Sequence, residues 1–179
     1  SEYTPDEHYV KLMLKDYDGN IWFYNRNDGF FQYQYQNKIF HKINIPGVKL
    51  TGLISRAITQ SSDSTVWLAA DGQLFCKKQN DTAFHNVNIA GVDNYILEIK
   101  AWKNVLYMQT FSGIYKYNIQ NKNLLAYDAK DGIAYGSTFG LDVTENGKLI
   151  VKGIKYFSEI NTEQFGESAI PPPLIFESI

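Results

Sequence analysis

The sequence is poor in residues that mark several classes of protein. Its single cysteine, Cys76, excludes an internal disulfide, and its strand context suggests a small buried apolar side chain. Only two of the 17 basic residues are arginines, and the formal net charge is −2, so this segment has no basic field that would attract nucleic acid. No apolar run approaches the ~20 residues of a membrane-spanning helix.

Aromatic residues are abundant, at 15%, and they follow turn signals. In the stretch Asp16 to Tyr33, Asp18-Gly19 is typical of a tight hairpin turn, and Ile21-Trp22-Phe23 of a short strand. A second break at Asn27-Asp28-Gly29 precedes another short strand that ends at Tyr33. Two hairpins in so short a stretch leave no room for a helix.

Versions of this stretch return three more times. The strand that carries Trp22 aligns with strands that begin at Val66, Val105 and Leu149, at intervals of 39 to 45 residues. A period of this length with four short strands per unit is the signature of β-propeller blades. Apolar residues also alternate with a period of two, as strands require and helices do not.

The sequence therefore predicts an all-β, partial β-propeller of about four consecutive four-stranded antiparallel blades. The predicted inner strands run from Tyr9 to Lys15, Leu53 to Thr59, Tyr95 to Ala101 and Thr138 to Thr144. The blades cover approximately residues 9–46, 53–90, 95–128 and 137–160, within a propeller region of 1–169. The last blade is incomplete, because no clear fourth strand follows Ser158. Residues 170–179 begin with Pro171 to Pro173 and read as a stiff exit toward a following domain that this chain lacks.

Side chains that recur with the blade are expected to serve the blade. Trp22 and Trp67 are repeat-equivalent, which favours a place in the core between blades, and His41 and His85 should pack or hold a strand hydrogen bond. Trp102 has no counterpart, and local packing is favoured over stacking on a sugar. No metal site is predicted: the acidic residues from Asp16 onward lack the glycine and glutamate spacing of an EF-hand loop, so a hairpin turn is the preferred reading.

The motifs resemble the two-component regulator propeller repeats of periplasmic sensor regions in Bacteroides-type hybrid two-component systems. Asp16 to Tyr33 matches the repeat pattern, and the second unit keeps Asp63, Trp67 and the Asp71-Gly72 turn. The third unit keeps GIYKY from Gly113 but has no tryptophan. The resemblance implies a periplasmic, non-enzymatic sensor of oligosaccharides or related nutrients without a cofactor. It also implies further blades, a downstream immunoglobulin-like domain and, in the full-length protein, a histidine kinase.

A ligand is expected at one face of the propeller. Blade topology puts the loops between second and third strands on the same face as the loops that lead to the next blade, and function concentrates in such loops. The candidate side chains for stacking on and hydrogen bonding to a glycan are Tyr24, Arg26, Asp28, Phe111 and Tyr135.

Two other functions and one assembly remain open at this point. A glycan-processing propeller enzyme, a lyase or hydrolase, would need a central pocket with catalytic groups; the sialidase version is excluded because its substrate site uses three arginines. A structural or protein-interaction propeller would need an apolar outer groove. An incomplete ring would leave apolar blade faces uncovered, which favours a homodimer.

Overall fold

The computed structural model describes residues 10–51, 56–92, 95–128, 131, 138–153 and 157–161. The secondary-structure elements in these ranges are all β-strands. The strands are β1 Val10–Lys15, β2 Ile21–Asn25, β3 Gly29–Gln34, β4 Ile39–Lys42, β5 Arg56–Gln60, β6 Val66–Ala70, β7 Gln73–Lys77, β8 His85–Val87, β9 Ile96–Trp102, β10 Val105–Thr110, β11 Ile114–Asn118, β12 Leu124–Tyr127, β13 Thr138–Val143, β14 Lys148–Gly153 and β15 Phe157–Asn161.

The strands form four antiparallel sheets, and each sheet is one blade. Blades 1, 2 and 3 have four strands in sequence order, β1 to β4, β5 to β8 and β9 to β12, and the described part of blade 4 has three, β13 to β15. The first strands of successive blades lie side by side, β1 with β5, β5 with β9 and β9 with β13. No comparable contact among the described strands joins β13 back to β1. The predicted all-β propeller fold is confirmed, as an array that these strands do not close.

The ends of the inner strands lie within one residue of the predicted bounds wherever those bounds fall on described residues. The outer strands are short, with β8 limited to His85–Val87, as is common at an edge that has a single pairing partner. In blade 4, Gly153 ends β14, and the third strand begins at Phe157. Residues 162–179, with the proline-rich exit, lie outside the described residues.

The sequence alignment of the third unit is wrong by one residue. It placed Leu106 at the tryptophan position, but Leu106 packs between blades 2 and 3, whereas Tyr107 packs between blades 3 and 4. The physical reason is the turn before β10, which has two residues, Lys103 and Asn104, where blades 1 and 2 have five. Tyr107 therefore takes the place that Trp22 and Trp67 hold in their blades.

The turn between the first two strands is fastened to the tryptophan in blades 1 and 2. The Asp16 carboxylate is buried and accepts hydrogen bonds from the Asn20 backbone N–H at 2.7 Å and from Trp22 Nε1 at 2.9 Å. In blade 2 the Ser61 hydroxyl accepts from Trp67 Nε1 at 2.9 Å. The hairpin turn predicted at Asp16 is confirmed, and the Asp16 carboxylate stabilises this turn.

Three apolar clusters fill the interfaces between successive blades, one at each interface. Blade 1 contributes Trp22, Tyr24 and Phe30 to the first cluster, and blade 2 contributes Trp67, Ala69 and Leu74 to the second. Trp22 and Trp67 are almost fully buried, which confirms their predicted place in the core. The third cluster is smaller and combines Tyr107 and Ile114 of blade 3 with aliphatic residues of blade 4.

The remaining singled-out residues have local roles. Trp102 packs on the turn that contains Gly147, where an added Cβ would lie 2.5 Å from the indole ring, so the predicted packing role is confirmed. Cys76 is half-buried beside the second cluster. His41 and His85 lie in the outer strands, as the repeat requires; their side chains are exposed and do not pack, but both residues pair across the blade, with Gln32 and Cys76 respectively. Among the described residues, no helix has the length and apolar character to cross a membrane.

Candidate ligand-binding face

Glycines bring the loops predicted to share one face into contact. The backbone N–H of Ile96, at the start of β9, donates to the carbonyl of Gly72, in the turn between β6 and β7, at 2.9 Å. Gly72 has a positive φ of 74°, and a Cβ there would lie 2.6 Å from the Tyr95 ring. Gly113 approaches the carbonyl of Tyr127 so closely that its Cβ would lie 2.1 Å away. These contacts place the turns after the second strands and the loops to the next blade together, and we call this side of the molecule the turn face.

The five predicted site residues do not form one cluster. Tyr24 is 2% exposed and its ring lies 4.9 Å from that of Phe30, within the core between blades 1 and 2. Arg26 is exposed and Asp28 is half-buried on the next turn, where Asn25 Oδ1 accepts the Asp28 N–H at 3.2 Å. Phe111 lies on the corresponding turn of blade 3. Tyr135 lies outside the described residues. Arg26 and Asp28 thus share a turn, while Phe111 lies two blades further along the chain.

Phe111 has an aromatic neighbour that the sequence did not indicate. Its side chain is 68% exposed, and its ring centroid lies 5.5 Å from that of Tyr95 at an angle of 34°. Tyr95 is half-buried and rests on Gly72. The sequence feature that could have indicated this contact is Gly72 in the Asp71-Gly72 turn, because a tight turn without a side chain permits close approach of an aromatic ring. The two rings form an open aromatic platform on the turn face.

A cleft of about 170 Å³ opens between blades 2 and 3 on the same face. It shares Gly72 and Ile96 with the surroundings of the platform. The cleft has an apolar wall and a polar rim. The wall is formed by Leu74, Val87, Ile89, Val92, Ile96 and Met108, and the rim by Gln73, Asn86 and Asn88. At the rim, Asn86 Nδ2 donates to Gln73 Oε1 at 3.0 Å.

The cleft exists because two repeated positions carry smaller side chains in blade 2 than in blade 1. The cross-strand pair Tyr24 and Phe30 faces blade 2, and the equivalent pair in the next blade is Ala69 and Leu74. The rest of the wall differs little between the two interfaces, since Ile43, Ile45 and Val48 correspond to Val87, Ile89 and Val92. Loss of two aromatic rings leaves space that aliphatic neighbours do not fill.

Charged side chains meet along the inner strands, away from the cleft wall. Lys100 of β9 bridges to Asp142 of β13 at 2.9 Å, and Lys152 lies 3.4 Å from the same carboxylate. Burial raises the pKa of Asp142, but the hydrogen bond and charge of Lys100 outweigh it and hold this pKa below its ordinary value. Burial raises the pKa of Glu98, against the charges of Lys11, Lys100 and Lys152. The charges of Lys11 in blade 1, Lys100 in blade 3 and Lys152 in blade 4 therefore all act on Glu98.

No protein-family model matches the chain, and no curated protein matches it. Among solved structures, the chain is similar to the extracellular domain of the hybrid two-component system BT3049 of B. thetaiotaomicron, with a TM-score of 0.70 and 21% identity over 91% of this chain and 24% of that one. It shares its fold with such domains. The corresponding domain of BT4673 from the same organism has a TM-score of 0.62 at 17% identity, over 88% of this chain and 21% of that one. The resemblance seen in the motifs is confirmed at the level of fold.

An enzyme also has this fold. Virginiamycin B lyase from Staphylococcus aureus, in a catalytically inactive form with quinupristin, has a TM-score of 0.67 at 13% identity, over 91% of this chain and 56% of that one. The chain spans less than a quarter of the length of the two extracellular domains. At these identities the comparisons establish the propeller fold, and the function has to be argued from the site.

Proposed function

We propose that this chain is a non-enzymatic segment of a periplasmic sensor propeller of a hybrid two-component system, and that it detects an oligosaccharide on the turn face. The observation that carries the proposal is the platform of Tyr95 and Phe111 beside a cleft with an amide rim. Exposed aromatic rings stack on the apolar faces of sugar rings, and side-chain amides both donate to and accept from hydroxyl groups. The fold shared with the extracellular domains of BT3049 and BT4673 supports the sensor role.

Signalling requires that the ligand favour one arrangement of the blades over another. A ligand that contacts the platform and the cleft touches blades 2 and 3 together, because Gln73 and Asn86 belong to blade 2 and Phe111 to blade 3. Its binding energy then depends on how these two blades are packed. In the full-length protein such a change would pass to neighbouring blades and to a downstream domain.

The test is calorimetric titration of the chain with a panel of neutral and charged oligosaccharides. We expect at least one to bind, and Phe111→Ala or Tyr95→Ala to weaken that binding at least tenfold. Tyr17→Ala is the matched control, since Tyr17 is 66% exposed but belongs to the turns at the opposite end of the strands. Absence of binding across the panel, or equal losses for all three variants, would refute the proposed site.

The alternative is a glycan-processing enzyme; the likeness to virginiamycin B lyase shows that this fold also occurs in an enzyme. An enzyme would release products from a bound glycan, whereas a sensor returns it unchanged. Chromatography of the same oligosaccharides after prolonged incubation with the chain separates the two functions.

A further inference from the structure

We propose that the cleft between blades 2 and 3 binds the acetamido group of an N-acetylated sugar residue. The inference rests on the proposed oligosaccharide-sensing function and specifies which sugar the site prefers. It starts from the cleft between blades 2 and 3, and it uses only the groups that line this opening.

The size of the cleft limits the ligand to a small group. Sites for drug-sized molecules occupy about 300 to 1,000 Å³, whereas this cleft has about 170 Å³. Val87, Ile89 and Val92 are the half-buried apolar residues of its wall and can contact a ligand, whereas Met108 is completely buried. A methyl group is therefore favoured at the wall, while a hydroxyl group would lose its hydrogen bonds there.

At the rim, the hydrogen-bonded pair of Gln73 and Asn86 offers an acceptor and a donor to a ligand. The bond from Asn86 Nδ2 to Gln73 Oε1 uses a donor of the first amide and the acceptor of the second. Among the contacts between described residues, Asn86 Oδ1 and Gln73 Nε2 have no partner, and both side chains are exposed. A secondary amide carries one N–H and one C=O, so it complements this pair. With the carbonyl on Gln73 Nε2 and the N–H on Asn86 Oδ1, the acetyl methyl group can point to the apolar wall.

Charge supports a neutral group. None of the described residues that line the cleft is ionisable, and the ion pairs Lys100–Asp142 and Lys152–Asp142 lie on β9, β13 and β14, outside this lining. A free amine or carboxylate in the cleft would lose hydration without gaining an opposite charge. The site should therefore distinguish an N-acetylated sugar from its amine counterpart.

The experiment is calorimetry of the chain with three disaccharides: diacetylchitobiose, its de-N-acetylated form and cellobiose. We expect diacetylchitobiose to bind at least tenfold more tightly than the other two. Leu74→Phe, which copies Phe30 of blade 1 into the cleft, should abolish this preference, while the volume-conserving Leu74→Met retains it. Asn86→Leu is a second variant that removes the acceptor without filling the cleft, in case Leu74→Phe does not fold.

Each other outcome overturns the proposal in a distinguishable way. Equal binding of the three disaccharides, or a preference that survives both Leu74→Phe and Asn86→Leu, refutes the acetamido site but leaves oligosaccharide sensing intact. Binding of other glycans that depends on Phe111 alone also refutes the acetamido site and leaves oligosaccharide sensing intact. Equal binding of an N-acetylated dipeptide assigns the cleft to amides other than sugars. If no glycan binds at all, the proposed function and this site both fail.

Discussion

At the scale of single residues, the buried carboxylate of Asp16 sets the geometry of the first hairpin. Asp16→Ala would leave Trp22 Nε1 and the Asn20 N–H without their acceptor in a site that water does not reach freely. A loss of about 2 to 4 kcal/mol in the free energy of unfolding is expected, since a buried donor then loses a charged partner. Urea unfolding followed by tryptophan fluorescence measures it. Asp18→Ala, in the same turn but exposed, is the control and should cost far less.

A second residue, Asp142, should give the stability a dependence on acid pH. Its pKa in the folded chain is lowered, so its contribution is complete above the ordinary aspartate pKa of about 3.9 and disappears as the pH falls through the lower folded value. Asp142→Asn should therefore lower the Tm at pH 6 but not near pH 2.5. The effect should stay below about 1 kcal/mol, because Asp142 and its lysines are about half exposed. A Tm difference that is constant with pH would contradict this account.

At the scale of the strand, β14 shows how alternation directs a blade. Leu149 is fully buried and faces blade 3, whereas the next residue, Ile150, is half-buried and shares its face with Lys148 and Lys152. Leu149→Ala should cost about 2 to 4 kcal/mol and Ile150→Ala less than about 1 kcal/mol. Equal costs in chemical denaturation would mean that both faces of blade 4 are packed alike.

The hairpin turns of the blades depend on glycine to different degrees. At Gly113 (φ +155°), a Cβ would lie 2.1 Å from the Tyr127 carbonyl oxygen, whereas Gly19 (φ +82°) has no neighbour within 4 Å. Gly19→Ala should cost about 1 kcal/mol from backbone strain alone. Gly113→Ala should cost about 3 kcal/mol or more, since the loop to blade 4 has to move. Circular dichroism during guanidinium unfolding of the two variants checks the order.

Repetition explains which of these features the sequence could predict. Trp22, Trp67 and the glycine turns recur, so a period and a strand order follow from them directly. The register of blade 3 did not follow, because a turn shortened to Lys103 and Asn104 shifts Tyr107 into the tryptophan position. The cleft could not be predicted either, because it arises where Ala69 and Leu74 have smaller side chains than Tyr24 and Phe30. A site made by a departure from the repeat is visible only once the blades are packed together.

At the scale of the whole molecule, the two ends of the blade array are chemically different. On the face of blade 4 directed away from blade 3, Asp142 pairs with Lys152 and Lys148 pairs with Glu159. On the face of blade 1 directed away from blade 2, the Phe23 and Phe31 rings stack at 5.2 Å, and Phe40 lies edge-on to Phe23. The outer face of blade 1 is therefore aromatic, whereas that of blade 4 is charged.

The same difference predicts how the isolated chain behaves. Phe40 and Ile39 of the outer strand of blade 1 are 45% and 47% exposed, and exposed apolar side chains on an edge strand favour self-association. We expect sedimentation velocity to show a concentration-dependent dimer that Phe40→Lys abolishes. Ile150→Lys, on the charged face of blade 4, should leave the dimer intact. Dissociation by Ile150→Lys and not by Phe40→Lys would place the contact at the opposite end of the blade array.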